Sequence, residues 1–406
     1  MVLFNMPALI FFFFAACRDW HQQHIMQSPN KRSAVSLPCP PAFSGPQGWA
    51  DLPDGLLHSI VARLASFRDI LGFAATCPSW RAAFSSYPSK TMLRTKLPPL
   101  LVQPHARVQG SLLPATNGCH QLYTCVVIDP ANPNTSLRCQ IPVDTLENKM
   151  ALIGSSYGNV IYFSYGCCYI VDVFTGAEVS TPSLPCGAKC WSSMLKGTLT
   201  APLASPNSHL LVSAKSSLFV LPVGNDSWSE LQAPYQHPTD HFVEFDGQFI
   251  VLDSVGRSYA LQLAPQLGLQ EIKTKPEDGR PTRGRLVVCG DMLFMLGLTR
   301  LHRLDMSTEP ATWIAVEKLD NWALFVAAGV MSTLHSCMSP GLWGGRSSIM
   351  YDAGAYRPWA LYGLHGVLDP VQDEPPREPG VEHIPPKMSF WQFWLYPSMF
   401  YSSDGQ

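Results

Sequence analysis

Apolar and polar positions follow two different rhythms along this chain. In "WADLPDGLLHSIVARL" (49–64), Leu56, Leu57, Ile60, Val61 and Leu64 recur at i, i+1, i+4, i+5 and i+8, which places them in one stripe on a helix. Pro53 suits the first turn, where a missing N–H costs nothing, and Asp51 is placed to cap it. "DILGFAATC" (69–77) predicts a second short helix capped by Asp69, with Ile70, Leu71, Phe73 and Ala74 apolar. Pro78 breaks it and opens a third helix, "PSWRAAFSS", which carries Trp80 and Phe84. Three helices in roughly 40 residues enclose a very small core, and a unit of that size is usually completed by something else.

From Leu97 onward the rhythm changes to short apolar runs set off by Gly turns. "YGNVIYFS" (157–164), "NSHLLVSA" (207–214), "DGQFIVLD" (246–253), "GDMLFMLG" (290–297) and "RSSIMYDA" (346–353) recur at intervals of about 40–55 residues. Each precedes a second apolar run, respectively "CYIVDVFTG", "SLFVLPVGNDSW", "SYALQL", "RLHRLD" and "PWALYGL". "NDSWSELQ" (225–232) and "PATWIAVEKL" (310–319) look like one element two repeats apart, with "LGLQEIK" (267–273) falling between them without a Trp. Repeats of this length with three or four strands each are the signature of a β-propeller. A β-sandwich or barrel with long loops is the rival, but it would not explain the recurring order of turn, strand, strand, polar turn and Trp. The fold class read from these patterns is mainly β, a short three-helix module followed by a β-propeller of irregular blades.

Composition narrows the picture. Of 406 residues only 14% are charged, against about 25% in an average globular domain. With 36 Pro and 29 Gly, this favours an all-β body rich in turns. A formal net charge of −2 and no dense Lys/Arg run leave no electrostatic footprint for nucleic acid. The twelve Cys contain no C-x-x-C. Cys186 and Cys190 form C-x-x-x-C, His237 and His241 form H-x-x-x-H, and a zinc site would need two such pairs to converge. The reading preferred is therefore no metal and no cofactor, with the cysteines as small buried residues in a reducing cytosol.

"MPALIFFFFAAC" (6–17) resembles the apolar core of a signal peptide, but no Lys or Arg precedes it. It is also shorter than the roughly 20 residues a spanning helix needs. The expectation is a segment with no export role inside a disordered or weakly apolar region, 1–48.

The residues "W-x-D-LP-x-x-LL-x-x-I-x-x-x-L" followed by "D-I-L-x-F-x-x-x-C-x-x-WR" resemble an F-box over about 49–88, and the module is assigned to 49–90. An F-box is the helical module by which substrate receptors dock onto the Skp-type adaptor of cullin-RING ubiquitin ligases. One departure is Thr76 before Cys77, where the family usually has an aliphatic residue. The stretches "LPPLLV" (97–102), "IGSSYGNVIYF" (153–163), "VDVFTGAEVSTPSLP" (171–185), "ATWIAVEKLDNWALFV" (311–326) and "WLYPS" (394–398) resemble plant F-box proteins whose C-terminal part is a KIB-type β-propeller, here 97–400. Asn159 stands where that group usually has Trp, Asp172-Val173 replace its Asn-Pro, and "SIMY" replaces its "C-I-Y-F".

The resemblance implies adaptor-binding roles for Leu52, Pro53, Leu56, Leu57, Ile60, Leu64, Ile70 and Trp80, on or under the adaptor-facing surface. It implies a receptor that presents a target protein to the ligase, located in the cytoplasm, the nucleus or both, with no membrane contact expected. No G-x-S-x-G, G-x-x-x-x-G-K-[ST], H-E-x-x-H or G-x-G-x-x-G occurs. The carboxylate pairs Asp144/Glu147 and Asp373/Glu374 sit in Pro-rich or polar loops and read as solvated. No catalytic residue is therefore nominated. "SPGLWGGRSS" (339–348) offers Trp343 and Arg346 as target-binding anchors, because Trp and Arg are frequent anchors, although a plain blade loop explains it as well. The alternatives are a secreted or membrane-associated propeller binding protein or glycan-acting enzyme, and a diverged copy whose propeller folds poorly.

Overall fold

The computed structural model describes residues 48–104, 122–142, 150–185, 195–214, 217–232, 237–264, 266–275, 284–297, 300–327, 333–353, 359–364 and 392–401. The apolar run 6–17, the Cys186/Cys190 pair, Asp144/Glu147 and Asp373/Glu374 lie outside the described residues. The chain divides into two compact units, Met1–Ser89 and Lys90–Gln406.

In the first unit, a 3-10 turn, Trp49–Asp51, precedes α1 (Asp54–Val61), α2 (Phe67–Thr76) and α3 (Pro78–Ser85). Two capping expectations need correction. The cap of α2 is Ser66, whose Oγ accepts the Asp69 N–H at 3.1 Å. The helix therefore starts earlier than expected, and Asp69 lies inside its first turn, where a carboxylate faces the positive end of the helix dipole. Asp51 does not cap α1. Its Oδ2 accepts the Gly48 N–H at 3.2 Å, and α1 starts after Pro53 without a side-chain cap. Pro78 opens α3 as expected.

The core of this unit is Leu57, Val61, Phe67, Ile70, Leu71, Phe73, Ala74, Ala83 and Phe84, all buried. The Trp80 ring lies 4.7 Å from Phe73, and its indole N–H donates to the Trp49 carbonyl at 2.9 Å. Arg81 Nε donates to the Ala74 carbonyl at 3.3 Å. The Trp-Arg pair thus ties α3 both to α2 and to the entry turn.

The second unit opens with a helix not foreseen from the pattern, α4 (Lys90–Lys96). Six four-stranded sheets follow among the described residues, and they form a six-bladed β-propeller. Blade one holds β1 (Leu100–Pro104), β2 (Leu122–Ile128) and β3 (Ser136–Pro142). Blade two holds β4 (Ala151–Ser156), β5 (Asn159–Ser164), β6 (Cys167–Asp172) and β7 (Glu178–Ser180). Blade three holds β8 (Lys196–Leu199), β9 (His209–Ala214), β10 (Ser217–Pro222) and β11 (Ser229–Gln232). Blade four holds β12 (Thr239–Phe245), β13 (Gln248–Asp253), β14 (Ser258–Gln262) and β15 (Gly268–Glu271). Blade five holds β16 (Arg285–Cys289), β17 (Met292–Leu296), β18 (Leu301–Asp305) and β19 (Thr312–Val316). Blade six holds β20 (Trp322–Ala327), β21 (His335–Met338), β22 (Ile349–Ala353) and β23 (Ala360–Gly363). The C-terminal β24 (Phe393–Leu395) completes blade one by pairing antiparallel with β1.

The low charge content has a structural cause. Apolar clusters lie between consecutive blades, such as Ile161, Ile170, Leu210 and Phe219 between blades two and three, so both faces of a blade are covered. All six residues of β5 are buried, and such strands read as continuous apolar runs. Repeated Asp residues at strand ends shape the turns. Asp172 Oδ1 accepts the N–H groups of Phe174 and Thr175 at 2.9 and 2.8 Å, and Asp253 Oδ1 accepts those of Val255 and Arg257 at 3.0 and 2.8 Å. Near the axis, β4 and β8 meet at Gly154 and Gly197, where a Cβ on Gly154 would collide with the Gly197 carbonyl.

The repeat is in phase for four blades and breaks in the last. Runs 157–164, 207–214, 246–253 and 290–297 supply second strands, whereas "RSSIMYDA" supplies β22, the third strand in space. In blade six the spatial order is β21-β20-β22-β23 and β22 runs parallel to β20. The segment 339–348 is therefore a crossover between β21 and β22, not a hairpin turn.

Candidate functional site

Several places could carry function. The first is the outer surface of the helical unit. Pro53 is exposed and Leu56 is 54% exposed, with Leu52, Ile60 and Leu64 half-buried. Trp49, which opens the F-box-like motif but was given no binding role, is 77% exposed, and its carbonyl is held by the half-buried Trp80. Leu57 and Ile70 are 0% exposed. Of the residues assigned to adaptor binding, these two belong under the surface and not on it. The helical period explains the split, because i and i+1 positions such as Leu56 and Leu57 lie about 100° apart around the axis.

The second place is the first turn of the innermost strands. Lys196 opens β8, Asp240 and His241 lie at the start of β12, Arg285 opens β16 and His335 opens β21. Burial lowers the Lys196 ammonium to about 8 against the opposing pull of Asp240. It lowers the Arg285 guanidinium to about 10, resisted by Asp352 and Asp240. Arg285 Nη1 donates to the Ala327 carbonyl at 2.8 Å, so it bridges blades five and six. Burial, with Arg285, Lys196 and His335 nearby, pushes His241 down to about 3. Burial also pushes His335 down to about 4, although its Nε2–H donates to the Trp394 carbonyl at 3.0 Å. The two histidines are held neutral. Of the H-x-x-x-H pair only His241 is buried, while His237 is exposed. Among the described residues no group of three or more His, Cys, Asp or Glu could hold a metal ion.

The third place is the opposite end of the same strands. Here α4 packs on β21 and on the C-terminal 3-10 turn Ser398–Phe400. The Arg94 guanidinium stands 4.6 Å from the Tyr401 ring centre and 5.9 Å from that of Tyr396. Tyr401 meets Tyr157 edge-on at 5.0 Å, and the Tyr157 hydroxyl donates to Glu244 Oε2 at 2.6 Å. Nothing in "KTMLRTK" marks Arg94 for this role, because its aromatic partners come from distant parts of the chain.

Trp343 lies in the 3-10 turn Pro340–Trp343 of the crossover. Its indole N–H donates to Cys337 Sγ at 3.2 Å, and its ring packs near Phe325 and Tyr351. It is half-buried against blade six, whereas Arg346 is exposed, with its backbone N–H donating to the Tyr351 hydroxyl at 3.1 Å. Between blades two and three lies a cleft of about 290 Å³ lined by Thr181, Pro182, Leu210, Leu221, Asn225 and Asp226 among others.

A small helical module precedes six four-stranded blades in the chain, and this arrangement defines a β-propeller protein. The family described as the KIB1-4 β-propeller matches residues 122–346, more than half of the chain, and the chain belongs to that family. A protein of Arabidopsis thaliana named "Putative F-box/kelch-repeat protein" is 20% identical over 402 residues, covering 88% of this chain and 99% of its own length. Together they bear out the resemblance to plant F-box proteins with a KIB propeller. Solved structures with similarity include the fission yeast SREBP-SCAP binding domains, at 12% identity and a TM-score of 0.33, covering 54% of this chain and 68% of that one. Another is the Cps50 (Swd1) β-propeller domain of Myceliophteria thermophila, at 11% identity and a TM-score of 0.34, covering 67% and 96%.

Proposed function

We propose that this protein is the substrate-recognition subunit of an SCF-type cullin-RING ubiquitin ligase. The observation that carries the reading is the exposed apolar ridge of the helical unit, Pro53 and Leu56 flanked by Leu52, Ile60 and Leu64, standing on a core that is already filled. An apolar ridge on a small finished module marks a partner surface, and a cluster of such anchors excluding water is what a protein interface needs. The F-box in the name of the Arabidopsis relative supports a Skp-type adaptor as that partner. The propeller then holds a target protein, with Trp343 and Arg346 among its candidate contacts. The receptor itself makes and breaks no bond. It acts by raising the effective concentration of target lysines near the transfer centre, in the cytoplasm or nucleus.

The test is a pull-down of the full chain with purified Skp-type adaptor, comparing wild type with Leu52→Ala/Pro53→Ala. Interface anchors often contribute about 2 kcal/mol or more each, so association should weaken by more than about tenfold. Circular dichroism should show the propeller intact. Unchanged binding, or binding lost only because the chain unfolds, would overturn the assignment.

A further inference from the structure

Cys125 in β2 and Cys139 in β3 are directly opposite each other in an antiparallel register. Both are free thiols, 1% and 7% exposed. Opposed residues share one face of the sheet, with Cα atoms about 4.5 or 5.5 Å apart depending on the pair type. Either spacing falls within the roughly 4.4–6.8 Å that a disulfide spans. The neighbouring Cys139 thiol and burial push the Cys125 thiol well above its usual range, so Cys125 stays a protonated thiol while the strands are closed. Nothing in the receptor function uses them. Tyr162 of β5, fully buried, lies close to both sulfurs, so the pair sits where the ring-closing blade faces the second blade.

We propose that Cys125 and Cys139 form a redox site that closes to an intrachain disulfide under peroxide and reopens under thiol reductants. Among the described residues β3 is the outermost strand of its blade and pairs only with β2, so local fraying of one edge strand exposes the sulfurs without opening the ring. The Cys139 thiolate attacks hydrogen peroxide, giving a sulfenic acid and hydroxide. The Cys125 thiol then displaces the sulfenic hydroxyl, forming the S–S bond and releasing water. In sum, two thiols lose two electrons and two protons, and one peroxide becomes two waters. The outcome fastens the outer edge of the blade that joins the two ends of the propeller.

The experiment oxidises the folded full-length chain with hydrogen peroxide, quenches in acid, labels remaining thiols with a maleimide in denaturant, and reads the peptides by mass spectrometry. The expected result is a linked peptide joining Cys125 and Cys139, loss of two maleimide labels, and full recovery of both after dithiothreitol. Cys139→Ser should abolish the linked peptide and leave Cys125 labelled. If that variant fails to fold, the wild-type linkage decides alone. Labels persisting on both residues at a peroxide dose that oxidises the half-exposed Cys77 and Cys167 would overturn the proposal. So would linkage of either residue to a different cysteine.

Discussion

Leu101 and Trp394 lie directly opposite each other on antiparallel strands drawn from the two ends of the propeller. Trp394 is 0% exposed, and its indole N–H donates to the Val326 carbonyl at 2.7 Å. Its ring meets Phe325 edge-on at 5.0 Å. One side chain therefore joins the closing strand to blade six as well as to blade one, and the closing strand covers the edge that β1 would otherwise leave open.

Trp394→Ala should therefore cost about 3–5 kcal/mol, as expected for a large aromatic removed from a packed site. Typical domains hold only about 5–15 kcal/mol in total, so much of the margin goes. Trp394→Phe keeps most of the volume but removes the hydrogen bond to the Val326 carbonyl, and should cost about 1–3 kcal/mol. Urea titration followed by tryptophan fluorescence and circular dichroism gives both values. Equal stability of the alanine variant and wild type would show that the seam does not matter.

The two neighbours Leu56 and Leu57 should behave oppositely. Leu57→Ala and Ile70→Ala empty buried positions and should each destabilise the helical unit by about 2–5 kcal/mol. Leu56→Ala removes an exposed side chain and should change stability by no more than about 0.5 kcal/mol, while weakening adaptor binding. Melting curves paired with binding isotherms separate the two effects. A large stability loss from Leu56→Ala would mean that its side chain is not a free contact.

Arg94 stacks on Tyr401 and holds α4 to the end of the propeller. Removing a desolvated cation–π contact costs about 2 kcal/mol, so Arg94→Ala should lower the unfolding midpoint of the propeller. Arg94→Lys should recover part of the loss, because the charge remains but the planar stack does not. Hydrogen exchange should show faster opening of residues 90–96 in the alanine variant. Unaltered exchange there would refute the clamp.

His241 and His335 predict an acid-sensitive propeller. Both are held neutral in the folded state, at about 3 and about 4, whereas an unfolded histidine titrates near 6.5. Above about 6.5 neither state binds the proton and stability is flat. As pH falls below that, the unfolded state takes up protons that the folded state refuses, so stability drops. The loss approaches about 1.4 kcal/mol per pH unit for each histidine and levels off only near the folded values. Urea midpoints measured from pH 7 to 5 should show the slope, and His241→Gln or His335→Gln should flatten it. A flat wild-type profile in this window would show that the rings are accessible to protons.

The sequence by itself determined whatever depends on local pattern. The 3.6-residue stripe marked α1, Pro78 marked the start of α3, and the Gly turns marked the second and third strands of most blades. The fourth strands were also legible, because "NDSWSELQ", "LGLQEIK" and "PATWIAVEKL" coincide with β11, β15 and β19. The tertiary structure alone decided three things. The inner strand β8, "KGTL", has no apolar period because its Gly197 must meet Gly154 of β4 and its Lys196 faces the pull of Asp240 in blade four. The order of blade six, with β21 inside β20, depends on which strands find partners after a crossover, and pairing across such distances leaves no trace in neighbouring residues. The division of α1 and α2 into covered and open residues depends on what packs around them. Leu56 and Leu57 are the same residue type side by side, and only the positions of the other helices make one a core residue and the other a surface.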